Sequence, residues 1–339
     1  MVYIIAEAGV NHNGNLDLAL QLVDIAKASG ADAIKFQTFK ANKLSSIEAE
    51  KAEYQKKTTD ENESQLDMLK KLELTYAEFS IIKKYCIEKE ITFISTPFDL
   101  DSVDLLERLN VSIYKIGSGD LTNYPLLRKV SMKGKKIILS TGMSNMDEVI
   151  NSVKYIINNG GKDLCVLHCI SNYPTKSEDL NLFSIKTMEK ELSLIKNDIE
   201  VGFSDHTKGI EASLYAVCVG ANCIEKHFTI DKNMTGPDHR ASLNPEELNL
   251  FVKKIREIET MLGNGIKKFR KSETQNRKIV RRSLAYNISL KKGTKIDYNH
   301  LTTLRPNSYI CGTRFEEFIG KILNRDVLEN DFLKLEHFN

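Results

Sequence analysis

The chain has 339 residues, with 48 Lys and Arg against 46 Asp and Glu, a formal net charge of +2. That balance supplies no overall field for nucleic acid, and no apolar run reaches the roughly 20 residues a membrane helix needs. Six cysteines stand singly without C-x-x-C spacing, which predicts free thiols in a reducing, cytoplasmic setting.

The N-terminal run Met1–Glu7 has no basic n-region and no small-residue cleavage site, so it reads as a strand and not as a signal peptide. Tyr3–Gly9 is a continuous apolar run, followed by the polar loop Asn11-His12-Asn13-Gly14. Leu16, Ala19, Leu20, Val23 and Ala26 then recur at helical spacing, and Gly30 closes the helix. A buried strand followed by an amphipathic crossover is the unit of a parallel sheet. The unit recurs, with strands predicted at Ala33–Phe39, Ile91–Phe98, Ser112–Gly117, Lys136–Gly142, Leu164–Ile170, Glu200–Ser204 and Cys223–Ile230. Helical spacing marks Tyr76–Lys89, Val103–Leu109, Met146–Asn158, Leu180–Ile195, Ile210–Val219 and Pro245–Leu262. Eight such units over about 260 residues predict an α/β (β/α)8 TIM barrel. An open doubly wound sheet is the alternative, disfavoured because no G-x-G-x-x-G follows the first strand. The polar stretch Lys57–Ser64 after the second strand reads either as a lid over the barrel mouth or as a surface helical hairpin. Beyond residue 263, positions 264–282 are basic and polar and read as a linker. Residues 283–339 form a second, small β-rich domain with short runs at Ser283–Ile288 and Phe332–Leu335.

A barrel carries its chemistry at the C-terminal ends of its strands. Those ends hold Glu7; Lys35 and Gln37; Ser95 and Thr96; Lys115 and Ser118; Ser140 and Thr141; His168 and Ser171; Ser204, Asp205 and His206; Glu225 and His227. Lysines inside apolar strands need an anion. Lys35 and Lys115 with nearby hydroxyls therefore suit a phosphate or carboxylate ligand; the alternative is that they bridge barrel carboxylates such as Glu7. His206 and His227 end neighbouring strands. Two histidines plus waters and substrate oxygens suit an octahedral Mn²⁺- or Mg²⁺-like ion better than closed tetrahedral zinc. Asp238, in Gly236-Pro237-Asp238-His239, follows strand eight over the mouth, whereas His12 and His239 read as supporting groups.

Ile5–Gly14, Lys35–Lys40, Ser95–Asp99, Ser140–Met143, Phe203–Thr207, Glu225–Thr229, Gly236–His239 and Leu304-Arg305-Pro306, in this order along the chain, resemble the sialic acid synthase family. The resemblance implies a TIM barrel followed by an antifreeze-like (SAF) domain that covers the barrel of the partner in a homodimer. It also implies condensation of phosphoenolpyruvate with N-acetylmannosamine and water to N-acetylneuraminate and phosphate. Lys35, Thr96, Lys115, Ser118, Ser140, Ser204 and His206 would then hold phosphoenolpyruvate. His206 and His227 would hold a divalent metal, Mn²⁺ first, with Mg²⁺ or Co²⁺ as alternatives. Glu7, Gln37, Tyr173, His227 and Asp238 would face the sugar or the reacting water, and Arg305 would reach in from the partner.

The chain departs from the family pattern in three places. Asp120 stands where many relatives carry Glu, which shortens its reach to the sugar. The centre of His168–Pro174 leaves Ser171 or Asn172 to touch phosphoenolpyruvate. Arg305-Pro306 lacks the glycine-rich turn that commonly follows. The nearest rival reading is a legionaminic acid synthase taking a 2,4-diacetamido-6-deoxy sugar, and a pseudaminic acid synthase is a third. A metal-dependent pyruvate aldolase and a non-enzymatic carbohydrate- or ice-binding protein are further alternatives.

Overall fold

The computed structural model describes residues 1–46, 48–51, 53–56, 59–60 and 63–338. Of the stretch read as a lid or hairpin, Lys57, Thr58, Glu61 and Asn62 lie outside the described residues.

Eight parallel strands close into a barrel, in the order β1 (Tyr3–Gly9), β2 (Ala33–Thr38), β3 (Thr92–Pro97), β4 (Ile113–Ile116), β5 (Lys136–Ser140), β6 (Leu164–Cys169), β7 (Glu200–Asp205) and β8 (Cys223–His227). The last strand pairs with the first, Tyr3 opposite Cys223 and Glu7 opposite His227. This is a TIM barrel. The helices are α1 (Leu16–Ala28), α2 (Ala41–Leu44), α3 (Glu53–Lys56), α4 (Gln65–Leu72), α5 (Tyr76–Glu88), α6 (Leu100–Arg108), α7 (Tyr124–Ser131), α8 (Met146–Asn158), α9 (Ser184–Ser193), α10 (Glu211–Val219) and α11 (Pro245–Leu262). Their starts follow side-chain chemistry. Thr75, Asn145 and Asn244 each accept a hydrogen bond from the third helical N–H, while the Glu at that position bonds back to the cap. The helix expected from Leu180 begins only at Ser184, because a 3₁₀ turn at Ser177–Asp179 and a left-handed Asn181 (φ 43°) delay it.

Period-2 alternation sorts each strand into two layers. One face packs against the helices, carrying Ile4, Ile34, Phe93, Tyr114, Ile137, Val166, Phe203 and Ile224. The other fills the barrel with Ile5, Ala33, Ile94, Ile113, Ile138, Cys165, Leu167 and Cys223. Gly202 belongs to the inner face, and a methyl group there would collide with the carbonyl oxygen of Cys223 and lie 2.6 Å from Leu167 Cδ2. Gly202→Ala is therefore expected to cost roughly 3 kcal/mol through overpacking. Urea titration checks this, and an unchanged midpoint would show that the barrel can give way there.

The chain divides at residues 263 and 264 into two compact units. Residues 264–282 group with the second unit; they are almost wholly exposed and include a short helix, α12 (Thr274–Val280). In that unit β9 (Ser283–Tyr286) pairs antiparallel with β10 (Leu301–Leu304), over a small core that includes Leu284, Tyr286, Leu301, Phe318 and Leu333. The run expected at Phe332–Leu335 forms no strand; Phe332 makes one isolated bridge to Ala285. All six cysteines are free, and four of them are buried. Among the described residues no helix is long and apolar enough to cross a membrane.

Candidate active site

The inward parity that fills the barrel floor with aliphatic side chains continues to the strands' C-terminal ends, where it turns polar. Ile5 is succeeded by Glu7, Ala33 by Lys35 and Gln37, Ile94 by Thr96, Ile113 by Lys115, Ile138 by Ser140, Leu167 by Cys169, and Cys223 by Glu225 and His227. All of these polar residues, with Ser204 and His206, line one cavity of about 430 Å³. Ser118, Ser171, Tyr173, Phe98 and Met143 complete its rim, and Gln55 and Gln65 reach it from the segment after β2.

The same parity corrects four of the expected rim residues. Ser95, Thr141, His168 and Asp205 face the helix layer. Ser95 shares a 2.6 Å hydrogen bond with Thr38, Thr141 donates to the Leu167 carbonyl at 2.9 Å, and His168 Nε2 lies 2.7 Å from the Leu180 carbonyl. Asp205 forms a fully buried ion pair with Lys226 at 3.0 Å. Asp120 also lies outside the cavity. It accepts a hydrogen bond from Asn123, the N-cap of α7, at 2.8 Å, so its short side chain serves a turn. Of the two alternatives in the β6 loop, Ser171 lines the cavity and Asn172 does not. Arg305 is an exposed residue of the second unit.

Four buried charges organise the cavity floor. Lys35 Nζ lies 3.1 Å from Glu7 Oε1, 3.4 Å from Glu225 Oε2 and 3.2 Å from Thr96 Oγ1. Lys115 Nζ lies 3.6 Å from Glu225 Oε1 and donates to Ser140 Oγ at 2.6 Å. Ser204 donates to Glu225 at 2.8 Å, and Gln37 to Glu7 at 3.4 Å. The lysines do bridge carboxylates, and they also face the cavity. Glu225, which sequence reading placed at the rim without a role, is the carboxylate that joins them. Burial opposes its charge, but Lys115, Lys35 and Ser204 outweigh that and hold the carboxyl down to about 2. Glu7 goes the other way. Burial, with the Glu225 charge adding to it, pushes its carboxyl up to about 7 against the pull of Lys35. Two carboxyls on one lysine pair thus hold protons differently, which is the usual condition for acid–base work. Asp238 is buried and raised to about 6 by that burial, with His206 and Lys35 opposing, so it stands within electrostatic reach of both.

The histidines lie beside this floor. The His206 and His227 rings are 5.7 Å apart, and Tyr173 packs on His206 at 4.0 Å. His206 Nδ1 meets the Ile170 carbonyl at 2.7 Å, which fixes the proton on that nitrogen and leaves a lone pair on Nε2. His227 Nδ1 is buried with no hydrogen-bond partner, and burial, followed by the His206 and Lys35 charges, holds the ring neutral, well below the usual histidine range. Burial works against a charge on His206, but Cys169 and the Ile170 carbonyl outweigh it and lift the ring above the usual histidine range. His206 thus offers Nε2 once its extra proton is gone, whereas His227 is already neutral; the pair then fits a divalent ion. Among the described residues no group of three or more His, Cys, Asp or Glu is placed to cage a metal, so such an ion would take its other ligands from water and substrate.

His12 and His239 lie in the loops that follow β1 and β8. His12 Nδ1 accepts from Gly14 N at 3.0 Å; His239 Nδ1 pairs with Thr229 at 2.6 Å and Nε2 with Asn13 at 3.1 Å. Burial lowers both to about 4. The unfolded chain, with histidine near 6.5, takes up these protons first, so stability is present above about pH 6.5 and is lost as pH falls toward 4. For His12 alone the loss is about 3 kcal/mol. His12→Gln is expected to flatten the urea-midpoint profile between pH 7 and pH 4.5 relative to the unchanged chain; parallel profiles would refute this.

Comparison with known proteins gives the family. The NeuB family model matches residues 22–267. An N,N'-diacetyllegionaminic acid synthase of Campylobacter jejuni is 48% identical, covering 98% of each chain. A protein of the same name from Legionella pneumophila is 44% identical, covering 99% of this chain and 94% of that one. The crystal structure of an N-acetylneuraminic acid (sialic acid) synthetase from Leptospira borgpetersenii, in complex with citrate, superposes with a TM-score of 0.71 at 35% identity, covering 81% of this chain and 90% of that one. The chain belongs to the NeuB family and is a C–C bond-forming, phosphoenolpyruvate-dependent sugar-acid synthase.

Proposed function

We propose that the enzyme condenses phosphoenolpyruvate with 2,4-diacetamido-2,4,6-trideoxymannose and water, giving N,N'-diacetyllegionaminate and phosphate. The observation that carries the sugar choice is the pair of relatives of that name at 48% and 44% identity along nearly the whole chain. Phe98 and Met143 at the cavity rim are compatible with a deoxy sugar, whose methyl group needs no hydrogen bond. The second reading is N-acetylneuraminate synthesis from N-acetylmannosamine, favoured by the structural likeness to a sialic acid synthetase.

The floor residues suit the reaction. Lys115 with the Ser140, Ser118 and Ser171 hydroxyls is a donor-rich corner for the phosphate, and Lys35 with Thr96 and Ser204 suits the carboxylate. Carbon 3 of phosphoenolpyruvate attacks the sugar aldehyde, forming the new C–C bond, and the carbonyl oxygen takes a proton to become a hydroxyl. Carbon 2 becomes an oxocarbenium-like centre that water captures, with Glu7 accepting the water's proton. The resulting hemiketal phosphate expels phosphate and becomes the ketone. Asp238, Gln37 and Tyr173 would hold the sugar. A divalent ion, Mn²⁺ first, would be held by His206 and His227 and would polarise the aldehyde oxygen. A homodimer that delivers the exposed Arg305 to the partner's barrel belongs to the same proposal, on the strength of the motif resemblance.

The test is phosphate release from phosphoenolpyruvate with Mn²⁺ and each sugar in turn. Release with the diacetamido sugar alone supports the proposal, and release with N-acetylmannosamine alone makes the protein a sialic acid synthase. Release with neither overturns both readings.

A further inference from the structure

A second concavity of about 830 Å³ lies beside the catalytic cavity. The two share Met143, Cys169 and Ser171. The groove runs outward between the N-terminal end of α8 and the face of α9, lined there by Ser144, Ser184 and Thr187. Nothing in the condensation described above requires so large a space on this side.

The junction falls at one corner of the cavity. Gly142 N bonds Ser118 Oγ at 2.9 Å, and a methyl group at Gly142 would collide with Ser171 Oγ, so the absent side chain lets two hydroxyls converge there. Ser140 and Lys115 stand on the adjoining strand ends. This is the corner assigned above to the phosphate. Met143 follows immediately, in the left-handed region (φ 62°), where a residue with a side chain is uncommon and the backbone is strained. That conformation leaves its side chain 73% exposed, on the boundary between cavity and groove. An unbranched, exposed methionine is a soft partition that can swing aside.

We propose that the groove is the exit for inorganic phosphate, with Met143 as its flap, so that the leaving group departs by a route separate from the sugar's entry. The proposal rests on the phosphoenolpyruvate reading. Ser144, Ser184 and Thr187 offer an anion hydroxyl donors along the groove, while the carboxylate that lines it, Glu148, accepts from the Asn145 N–H at 2.8 Å as part of the α8 cap.

Thr187→Trp, at an exposed position on α9 remote from the reacting groups, narrows the groove, and Thr187→Ser keeps it open. The assay follows total phosphate after acid quench and free phosphate with a fluorescent sensor, using whichever sugar supports turnover. In Thr187→Trp, kcat is expected to fall about 10-fold or more while kcat/KM for both substrates stays within about twofold, because chemistry precedes release. Total phosphate then shows a burst of about one equivalent per site and free phosphate shows none. Thr187→Ser stays within about twofold of the unchanged enzyme in every constant. Ser184→Trp is the second plug if the first fails to fold. An unchanged kcat in a folded plug variant overturns the exit route, as does a slowed kcat without the burst. Absence of phosphate release from the unchanged enzyme with either sugar removes the reaction and the route together.

Discussion

Glu7→Gln is expected to leave a folded protein that binds phosphoenolpyruvate within a few-fold of normal but turns over about a thousandfold more slowly. The carboxyl faces the cavity beside Lys35, and its Oε2 is buried without a hydrogen-bond partner, which leaves one oxygen free for water. Glutamine keeps the shape and the contacts of Oε1 but can neither accept a proton nor stabilise a developing cation. Lys115 and Ser140, assigned to the phosphate, lie on β4 and β5 away from Glu7, so binding should be nearly unaffected. Phosphate release in steady state and calorimetric titration with phosphoenolpyruvate measure the two halves of the expectation. Near-normal turnover would remove Glu7 as the base; lost binding with lost turnover would make it a structural counter-ion only.

Lys115→Met separates the two roles open to the buried lysines. Methionine conserves volume and hydrophobic stem, so the barrel should fold, at a cost of about 1–3 kcal/mol for leaving Glu225 with Lys35 alone. If Lys115 receives the substrate's phosphate, loss of a buried, charge-assisted contact raises the phosphoenolpyruvate dissociation constant roughly 10²–10³-fold, about 3–4 kcal/mol. A merely bridging lysine predicts the stability cost with substrate affinity intact. Calorimetry on the folded variant decides between them, and affinity within about threefold of normal would place the anion elsewhere.

The barrel was legible because each unit repeats the same pattern: an apolar run, a polar loop and a helical stripe. The strand bounds differ by only a residue or two at most ends, and β1, α8 and α11 match throughout. The site was legible where a charged residue interrupts an apolar strand, as at Glu7, Lys35 and Lys115. What went astray was facing. His168 and Asp205 were grouped with the rim, although each is one residue out of phase with the inward series Leu167–Cys169 and Gly202–Ser204. Counting in twos from the barrel-filling residues rejects both and raises Cys169 to a lining residue. Asp120 was misplaced for another reason. It lies in a 3₁₀ turn whose geometry is set by Asn123 and the start of α7, and no periodicity extends there. The pairing of Glu225 with both lysines depends on which neighbours three strands present to one another, which a single strand's sequence does not contain.

The pairing of Glu7 with His227 across β1 and β8 bears on how the protein is born. Some 220 residues separate these neighbours, so a nascent chain carries Glu7, Lys35 and Lys115 long before Glu225 and His227 leave the ribosome. Until then Lys35 has only Glu7, and Lys115 lacks the carboxylate it meets in the folded barrel. The first half of the barrel therefore carries one lysine charge with no partner to bury it against, and that charge is balanced only when the last strand joins.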